Sequence, residues 1–278
     1  MSWVYLDDSF LQKKDVKISP FDRGFLFGDA VYEVIPVYER KIFLFSEHIT
    51  RLERSLLETG IDKPKVWNEI PTIIDALVKK NTYSNQKVYL QISRGVDIER
   101  DHLPGQNLKP TLFISSSELF INPYRLNPNK PGLDVNTSND PRWKRCDIKA
   151  VTLLSNVLAL RGADLEKKDD VIFHRDGKVT EGTSSNVFTV FGEEILTPPE
   201  SELILSGITR KYIINLLKSK SFSVQEREIE VLQLYEADEV WMTSSTKEIH
   251  PVKKINNKEL KPPKPQNSIW FNVLSSFI

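Results

Sequence analysis

The chain has 278 residues, of which 40% are hydrophobic and 27% are charged. These values are typical of a folded globular protein, and the length allows two domains. Lysine and arginine together number 38, as do aspartate and glutamate. The formal charge is therefore zero, which argues against binding nucleic acid through its phosphates. The single cysteine, Cys146, excludes an intrachain disulfide and a cysteine-cluster metal site, and we expect no metal.

Neither end of the sequence carries a membrane signal. The first residues lack a basic region followed by an apolar one, so we expect no signal peptide. No apolar run reaches the length of a membrane span. The apolar tail 269–278 is too short to span and predicts a docked terminal helix. We therefore expect a cytoplasmic enzyme or binding protein without nucleic-acid or membrane partners.

The first predicted elements are a strand and a helix. The β-branched and aromatic run Val31–Tyr38 predicts a strand, in which Pro36 indicates an edge position or a bulge. A helix is predicted over 46–57 with Ser46 as its cap. Its apolar residues are spaced to share one face, and they are Ile49, Leu52, Leu56 and Leu57.

The rest of the first 120 residues continues the mixture of helices and strands. An amphipathic helix is predicted over 67–80, with Pro71 tolerated in its first turn. Alternation at period two predicts a strand over 87–94, and 111–115 is predicted to be another. The proline- and asparagine-rich segment 121–132 favours extended backbone and predicts an interdomain linker.

Beyond the linker the elements remain mixed. An apolar helix is predicted over 150–159, and Lys149 opens it. Asp176-Gly177 is a hairpin signal within 171–179. The further expected elements are a strand over 186–190, a helix over 208–218 and a strand over 239–242. This order indicates an α+β chain with an N-terminal domain over 1–120 and a larger C-terminal domain over 133–278.

Lys149 is the first candidate for chemistry. It precedes an apolar stretch, and an acidic and hydroxyl-rich segment, 180–188, follows about one helix later. Such surroundings suggest an amine kept desolvated for covalent chemistry. The plain alternative is a surface lysine at a helix start.

Three further features fit a small anion. Residues 206–210 place a glycine and a hydroxyl at a helix start, where free N–H groups and the helix dipole favour phosphate. Residues 243–246 offer hydroxyls after a strand, and Arg51 on a helix could supply charge. The alternatives are an ordinary helix cap, a polar turn and a solvated arginine.

The lysine, the acidic segment and the features that fit a small anion together suggest a site for pyridoxal phosphate. A lysine that forms a Schiff base with this cofactor needs a partner for the pyridine nitrogen. A carboxylate such as Glu181 would keep that nitrogen protonated, so that the ring can accept electrons from the substrate. Glu181 is otherwise a loop carboxylate near a turn.

The chain resembles the fold-type IV pyridoxal-phosphate aminotransferases, and among them the D-amino acid aminotransferases, almost end to end. The resemblance is carried by six segments, which are 22–34, 47–52, 142–149, 180–188, 207–210 and 243–248. It implies a two-domain α+β fold, a homodimer, pyridoxal 5′-phosphate as cofactor, and D-amino acids and 2-oxo acids as substrates.

The resemblance also implies individual roles. Lys149 would bind the cofactor covalently and move the proton at the substrate α-carbon. Glu181 would pair with the pyridine nitrogen, and Leu205 would pack against the ring. The cofactor phosphate would be held by Arg51, Ile208, Thr209, Ser244 and Ser245. The substrate would be held by Tyr32, Thr246 and an Arg-x-His pair from the other subunit, for which Arg100 and His102 supply the pattern.

The chain departs from the family pattern at that pair. One residue is added between Arg94-Gly95 and Arg100, and the gap to Pro104 is one residue shorter. Rivals of the same fold are branched-chain L-amino acid aminotransferase, (R)-amine transaminase and 4-amino-4-deoxychorismate lyase. A rival of another class is a non-catalytic pyridoxal-phosphate carrier. The Arg100/His102 pair favours the D-amino acid interpretation, because two such groups suit an α-carboxylate.

Overall fold

The computed structural model describes residues 2–277, which divide into two compact units. Unit 1 comprises the described residues up to Phe120 together with Ile148–Thr152. Unit 2 comprises Ile121–Asp147 and the described residues from Leu153 onward. The segment that contains Lys149 therefore belongs to unit 1, although most of the chain around it belongs to unit 2.

Unit 1 is built on one antiparallel sheet of six strands. Its elements in chain order are β1 (Trp3–Leu6), β2 (Ser9–Gln12), α1 (Arg23–Phe27), β3 (Ala30–Tyr38), β4 (Lys41–Ile42), α2 (Phe45–Thr59), α3 (Ile70–Lys80), β5 (Gln86–Ser93) and β6 (Thr111–Glu118). Short 3-10 turns lie at Lys13–Asp15 and Trp67–Glu69. The strand order is β2-β1-β6-β5-β3-β4.

The two faces of this sheet differ in chemistry. Along β3 the side chains of Val31, Glu33 and Ile35 are buried, whereas those of Tyr32 and Val34 are half-buried. The buried face packs with α2 and α3 in one apolar cluster. This alternation is the period-two pattern of a strand with one covered face, and the predicted strand is confirmed.

Helix α2 begins differently from the prediction. Its N-cap is Leu44 in the left-handed region (φ 51°), with no side-chain cap, so the expected role of Ser46 is wrong. Ser46 lies inside the first turn, and its carbonyl accepts a hydrogen bond from Thr50 Oγ1 at 2.8 Å. Leu57 also leaves the expected apolar face, because it lies about 100° around the helix from buried Leu56.

Unit 2 contains the remaining helices and strands. They are α4 (Pro123–Leu126), β7 (Leu133–Asn139), α5 (Leu154–Leu165), β8 (Asp170–Arg175), β9 (Lys178–Gly182), β10 (Asn186–Phe191), β11 (Glu194–Thr197), α6 (Ile208–Ser219), β12 (Ser223–Glu226), β13 (Glu239–Ser244), β14 (Glu248–Ile255), β15 (Lys258–Glu259) and α7 (Ile269–Ser275). Short 3-10 turns lie at Val231–Tyr235 and Pro265–Asn267.

Nine strands of unit 2 form a mixed sheet. Eight follow the order β12-β11-β10-β13-β14-β7-β8-β9, and β15 pairs with β14. The hairpin between β8 and β9 is confirmed, since Asp176 and Gly177 adopt φ of 49° and 79° as its tight turn requires. Helix α7 confirms the docked terminal helix, with Trp270 and Val273 buried. Ile278, the last residue of the predicted segment, lies outside the described residues.

The predicted linker 121–132 packs as part of unit 2. Asn122 caps α4 by accepting a hydrogen bond from the Tyr124 N–H at 2.9 Å. Its amide also donates to the carbonyls of Lys247 and Ile249 at 2.8 and 3.1 Å. These three bonds satisfy a buried amide, so the division between the units lies at Phe120 rather than within a free linker.

The predicted helix at Lys149 starts later than expected. Helix α5 begins at Leu154, whereas residues 149–151 are extended along β3 in unit 1. The sequence interpretation of Lys149 as the opening residue of a helix is therefore wrong. Within residues 2–277, no helix combines the length and the apolar character that a bilayer crossing requires.

Adjacent leucines of α2 provide a test of this packing. Leu56 is 2% exposed and Leu57 is 80% exposed. We expect Leu56→Ala to lower the free energy of unfolding by about 2–5 kcal/mol, because it leaves a cavity in the core of unit 1. Leu57→Ala should change it by less than about 0.5 kcal/mol. Urea titrations of both variants measure the difference, and equal losses would contradict the described orientation of α2.

Candidate active site

The backbone around Lys149 is paired with the first residues of β3. The Tyr32 N–H donates to the Lys149 carbonyl at 3.0 Å, and the Val151 N–H donates to the Ala30 carbonyl at 3.1 Å. The Lys149 N–H donates to Ser55 Oγ on α2 at 3.3 Å. Because β5 pairs with the other edge of β3, residues 149–151 extend the sheet locally and fix the position of the lysine.

The lysine side chain lies beside the half-buried face of the sheet. Lys149 Nζ is 4.3 Å from the centroid of the Tyr32 ring, so the structure brings these two predicted site residues together. Tyr32 is followed on the same face by Tyr89, with 5.6 Å between ring centroids. Tyr89 donates its hydroxyl to Gln91 Oε1 at 2.6 Å. Burial raises the pKa of Tyr89 to about 12, so its phenol stays protonated.

Arg51 is held by a carboxylate that the sequence interpretation missed. Its Nε and Nη2 donate to the two oxygens of Glu33 at 2.7 and 2.8 Å. Glu33 is fully buried and also lies 2.7 Å from His48 Nδ1. Burial alone would raise the pKa of Glu33, but Arg51, and after it His48, hold it at about 2. Burial lowers the pKa of His48 itself, so its neutral ring donates to Glu33.

A signal for Glu33 was present in the sequence. It occupies an inward position of β3 between Val31 and Ile35, and a carboxylate at such a position requires a buried partner. The partners come from α2, where Arg51 follows His48 by three residues and so shares its side of the helix. Our sequence interpretation did not use this pattern.

Glu181 is buried in unit 2 among fixed donors. Its Oε2 accepts the Leu205 N–H at 3.1 Å and the Asn186 amide at 3.2 Å. Its Oε1 accepts from Arg142 Nη1. The Asn186 amide also donates to the Leu205 carbonyl at 3.0 Å. The structure therefore joins the predicted residues Glu181 and Leu205, and adds Asn186 and Arg142, which the sequence interpretation missed.

Arg142 links Glu181 to a second acid. Asp140 accepts from Arg142 Nη2 at 2.7 Å and also lies 3.3 Å from Arg175 Nε. Burial alone would raise the pKa of Asp140, but Arg142 outweighs it and lowers that pKa. Burial alone would lower the pKa of Arg142, but Asp140 and Glu181 raise it. The result is a buried row of alternating charges that ends on Glu181.

The start of α6 can accept an anion. Gly207 is its N-cap, and no described side chain caps the helix. The N–H groups of Ile208 and Thr209 therefore point to the free end, where the helix dipole is positive. A Cβ on residue 207 would lie 1.9 Å from Asn186 Oδ1, so a glycine is required for this close approach.

The hydroxyl segment after β13 forms a tight turn. Ser244 ends the strand, and its Oγ accepts the Lys247 N–H at 3.2 Å. Ser245 and Thr246 occupy the turn and are half-buried. Lys247 in turn contacts the buried carboxylate of Asp170 at 3.2 Å, so the position of the turn is fixed within unit 2.

Arg100 and His102 lie on an exposed loop of unit 1. The Arg100 guanidinium carbon is 4.9 Å from the centroid of the Phe27 ring. The His102 ring is 5.5 Å from the same ring, with 46° between the planes. The two predicted substrate residues are therefore brought together in spite of the added residue before Arg100.

Comparison with known proteins identifies relatives over most of the chain. A model of the family described as Amino-transferase class IV matches residues 30–255. The chain is 35% identical over 260 residues to a D-alanine aminotransferase of Staphylococcus haemolyticus, covering 94% of the chain and 91% of the relative. It is 34% identical over 259 residues to a D-alanine aminotransferase of Listeria monocytogenes serotype 4b, covering 92% of the chain and 89% of that relative.

Solved structures give the same fold. A branched-chain amino acid aminotransferase of Escherichia coli superposes with a TM-score of 0.89 at 22% identity, over 99% of this chain and 93% of that one. A branched-chain aminotransferase of Thermoproteus uzoniensis has a TM-score of 0.86 at 23% identity, over 99% and 93%. Another branched-chain enzyme of this fold was solved with pyridoxamine 5′-phosphate. At these identities the likeness shows the fold alone, and the expected α+β fold is confirmed.

The buried pair of Glu33 and Arg51 gives a pH-dependent prediction. The pKa of Glu33 falls from 4.5 to about 2 on folding, so its contribution to stability is complete above about pH 4.5 and is lost toward pH 2. This loss is on the order of 3 kcal/mol. We expect Glu33→Gln to be less stable at neutral pH and to lack this part of the acid dependence.

Glu53→Gln is the matched control, because Glu53 lies on the same helix as Arg51 but is exposed, and its ion pair is with exposed Lys63. Unfolding free energies measured between pH 7 and pH 3 compare the two variants with the parent. An acid dependence of Glu33→Gln identical to that of the parent would contradict the described ion pair.

Proposed function

The chain belongs to the class IV aminotransferases, which use pyridoxal 5′-phosphate, and we propose that it transfers amino groups between D-amino acids and 2-oxo acids. The relatives that cover most of the chain are D-alanine aminotransferases. The structural observation that carries the proposal is the pairing of Arg100 and His102 on one ring, because two donors side by side suit a substrate α-carboxylate.

The candidate site residues match the chemistry of the cofactor. Pyridoxal phosphate presents an aldehyde, a pyridine nitrogen and a phosphate, and when bound it supplies an electron sink for the substrate α-carbon. The amine of Lys149, the buried carboxylate of Glu181 and the uncapped start of α6 offer one partner for each. The close contact of Gly207 with Asn186, in which a Cβ would clash, supports the same assignment.

We assign the proton transfer to Lys149. Its amine would hold the cofactor covalently and would act as general base and acid for the proton at the substrate α-carbon. The pairing with β3 keeps the backbone of Lys149 in place.

Glu181 and Leu205 would act on the ring. Glu181 would accept the pyridinium N–H, and its own position depends on the Leu205 N–H and on Asn186. Arg142 contacts the same carboxylate and places a positive charge beside it. Leu205 would pack its side chain against the ring face.

We propose one set of donors for the cofactor phosphate. We assign the N–H groups of Ile208 and Thr209, the hydroxyls of Ser244 and Ser245, and the guanidinium of Arg51. Arg51 is already oriented by Glu33, so the side chain need not lose further rotamer freedom on binding.

The substrate would be bound by Tyr32 and Thr246 together with Arg100 and His102. We propose that the chain forms a homodimer in which the exposed Arg100/His102 pair serves the site of the second subunit. A cytoplasmic location remains a prediction from the sequence.

A half-reaction screen tests the function. The holoenzyme is mixed with the D and L enantiomers of alanine, glutamate and aspartate, with L-leucine and with an (R)-amine that lacks a carboxylate. The absorbance of the bound cofactor is followed together with the oxo product formed. We expect conversion by D enantiomers, because the carboxylate pair fixes the substrate orientation. Conversion by L-leucine alone would indicate a branched-chain enzyme, and conversion only by an (R)-amine without a carboxylate would indicate an amine transaminase. No conversion would indicate a cofactor carrier.

Replacing the reactive lysine tests the mechanism. We expect Lys149→Ala to lower the turnover number by roughly 10³-fold or more, since general base and covalent roles are both lost. Its cofactor should also be removed by dialysis. Lys144→Ala, which removes an exposed lysine five residues earlier, should retain parental turnover. Parental turnover in Lys149→Ala would contradict the assignment.

A further inference from the structure

Arg23 is a buried charged residue that is not among the residues assigned to the cofactor or the substrate. It is 3% exposed, and it donates in three directions. Its Nε bonds Asp29 at 3.0 Å, and its Nη1 bonds Asp97 at 3.2 Å. Its Nη1 and Nη2 also bond the backbone carbonyls of Asp101 and His102 at 2.7 and 2.9 Å. One side chain of α1 therefore hydrogen-bonds directly to the backbone of the loop that carries Arg100 and His102.

Asp97 closes the same loop at its base. Its carboxylate accepts the N–H groups of Ile98 at 2.9 Å and Gly105 at 3.1 Å. A Cβ on Gly105 would lie 2.8 Å from Asp97 Oδ1, so the approach is close. The loop 97–105 is consequently fixed at both ends by one carboxylate, which Arg23 neutralises.

Phe27 supports the side chains of this loop. The guanidinium carbons of Arg23 and Arg100 lie 4.7 and 4.9 Å from the centroid of its ring, and the His102 ring lies at 5.5 Å. Arg100 and His102 are both exposed. No described carboxylate forms an ion pair with Arg100, whereas Arg23 has two acidic partners. The loop thus presents an exposed guanidinium next to an imidazole.

We infer that Arg23 and Phe27 are positioning residues that hold Arg100 and His102 as a single preformed site for the substrate carboxylate. The inference rests on the proposed function. Arg23 fixes the backbone at residues 101 and 102, and Phe27 fixes the directions of the flanking side chains. A preformed pair binds a carboxylate with less loss of conformational entropy than two mobile side chains.

The arrangement explains how the loop accommodates the shifted position of the pair. The backbone carbonyls of residues 101 and 102 are held by bonds from Arg23. The added residue lies before these anchored carbonyls, so both bonds can form in its presence.

Phe27→Leu tests the inference, with Phe25→Leu as its control. Both residues lie on α1, but Phe25 is 75% exposed, whereas the ring of Phe27 contacts Arg100 and His102. We expect Phe27→Leu to raise the KM for D-alanine about tenfold with a smaller change in kcat, because it weakens ground-state binding of the carboxylate. Phe25→Leu should leave both constants unchanged. An unchanged KM in Phe27→Leu would overturn the inference.

A double-mutant cycle separates positioning from general stabilisation. Phe27→Leu should raise KM in the parent but add little in an Arg100→Ala background, since it acts through Arg100. Equal increases in both backgrounds would overturn the inference.

Hydrogen exchange supplies a readout that does not depend on turnover. We expect Arg23→Lys to speed amide exchange in 97–105 by about tenfold or more relative to Phe25→Leu, because a lysine cannot bond both carbonyls and both acids. Unchanged exchange would overturn the positioning role. Failure of the parent to convert any D-amino acid would instead overturn the proposed function, and the exchange result would still decide how the loop is held.

Discussion

The pairing of residues 149–151 with β3 is the interaction on which the candidate chemistry depends. It fixes the backbone of this segment through bonds with Ala30 and Tyr32, and the Lys149 N–H also donates to Ser55 Oγ. The same strand directs Tyr32 toward Lys149 on one face and Glu33 into the core on the other. A shift of β3 by one residue would exchange these two side chains, so the core of unit 1 and the position of the amine are controlled by a single register.

In unit 2 the carboxylate of Glu181 is held in a different way. A neighbouring positive charge balances it, and N–H groups donate to it. Glu181 is one end of a buried row that continues through Arg142 to Asp140. Each member lowers the cost of burying its neighbour, whereas an isolated buried charge would be expensive. Asn186 connects this row to the start of α6, since it bonds Glu181 and also occupies the space that a side chain at Gly207 would need. The acid and the anion-binding helix start are therefore coupled through one amide.

The loop proposed to bind the substrate carboxylate is separated from Lys149 and Glu181 along the chain. The Arg100/His102 loop takes its shape from Arg23 and Asp97, which make no contact with Lys149 in the bonds described. Such a loop can change length while its anchored carbonyls stay in place. Relatives with one fold can thus differ in substrate without alteration of the amine or its strand, as expected where function resides in sites carried by a common fold.

The sequence by itself determined the period-two strand β3, the Asp176-Gly177 hairpin and the glycine at the start of α6, because each follows from local backbone chemistry. Its motifs also predicted Lys149, Glu181 and Arg51 as residues of a cofactor site. It misassigned residues 150–153 as the first turn of a helix that begins at Leu154, and it missed Glu33, Arg142 and Arg23 as organising residues. An apolar run is compatible with a helix or with extended backbone. Residues 149–151 pair with the edge of β3 opposite β5, and only this tertiary contact decided between the two conformations. Likewise, a charged residue reveals its partner only when folding removes water from both, which is a property of the tertiary structure and not of spacing along the chain.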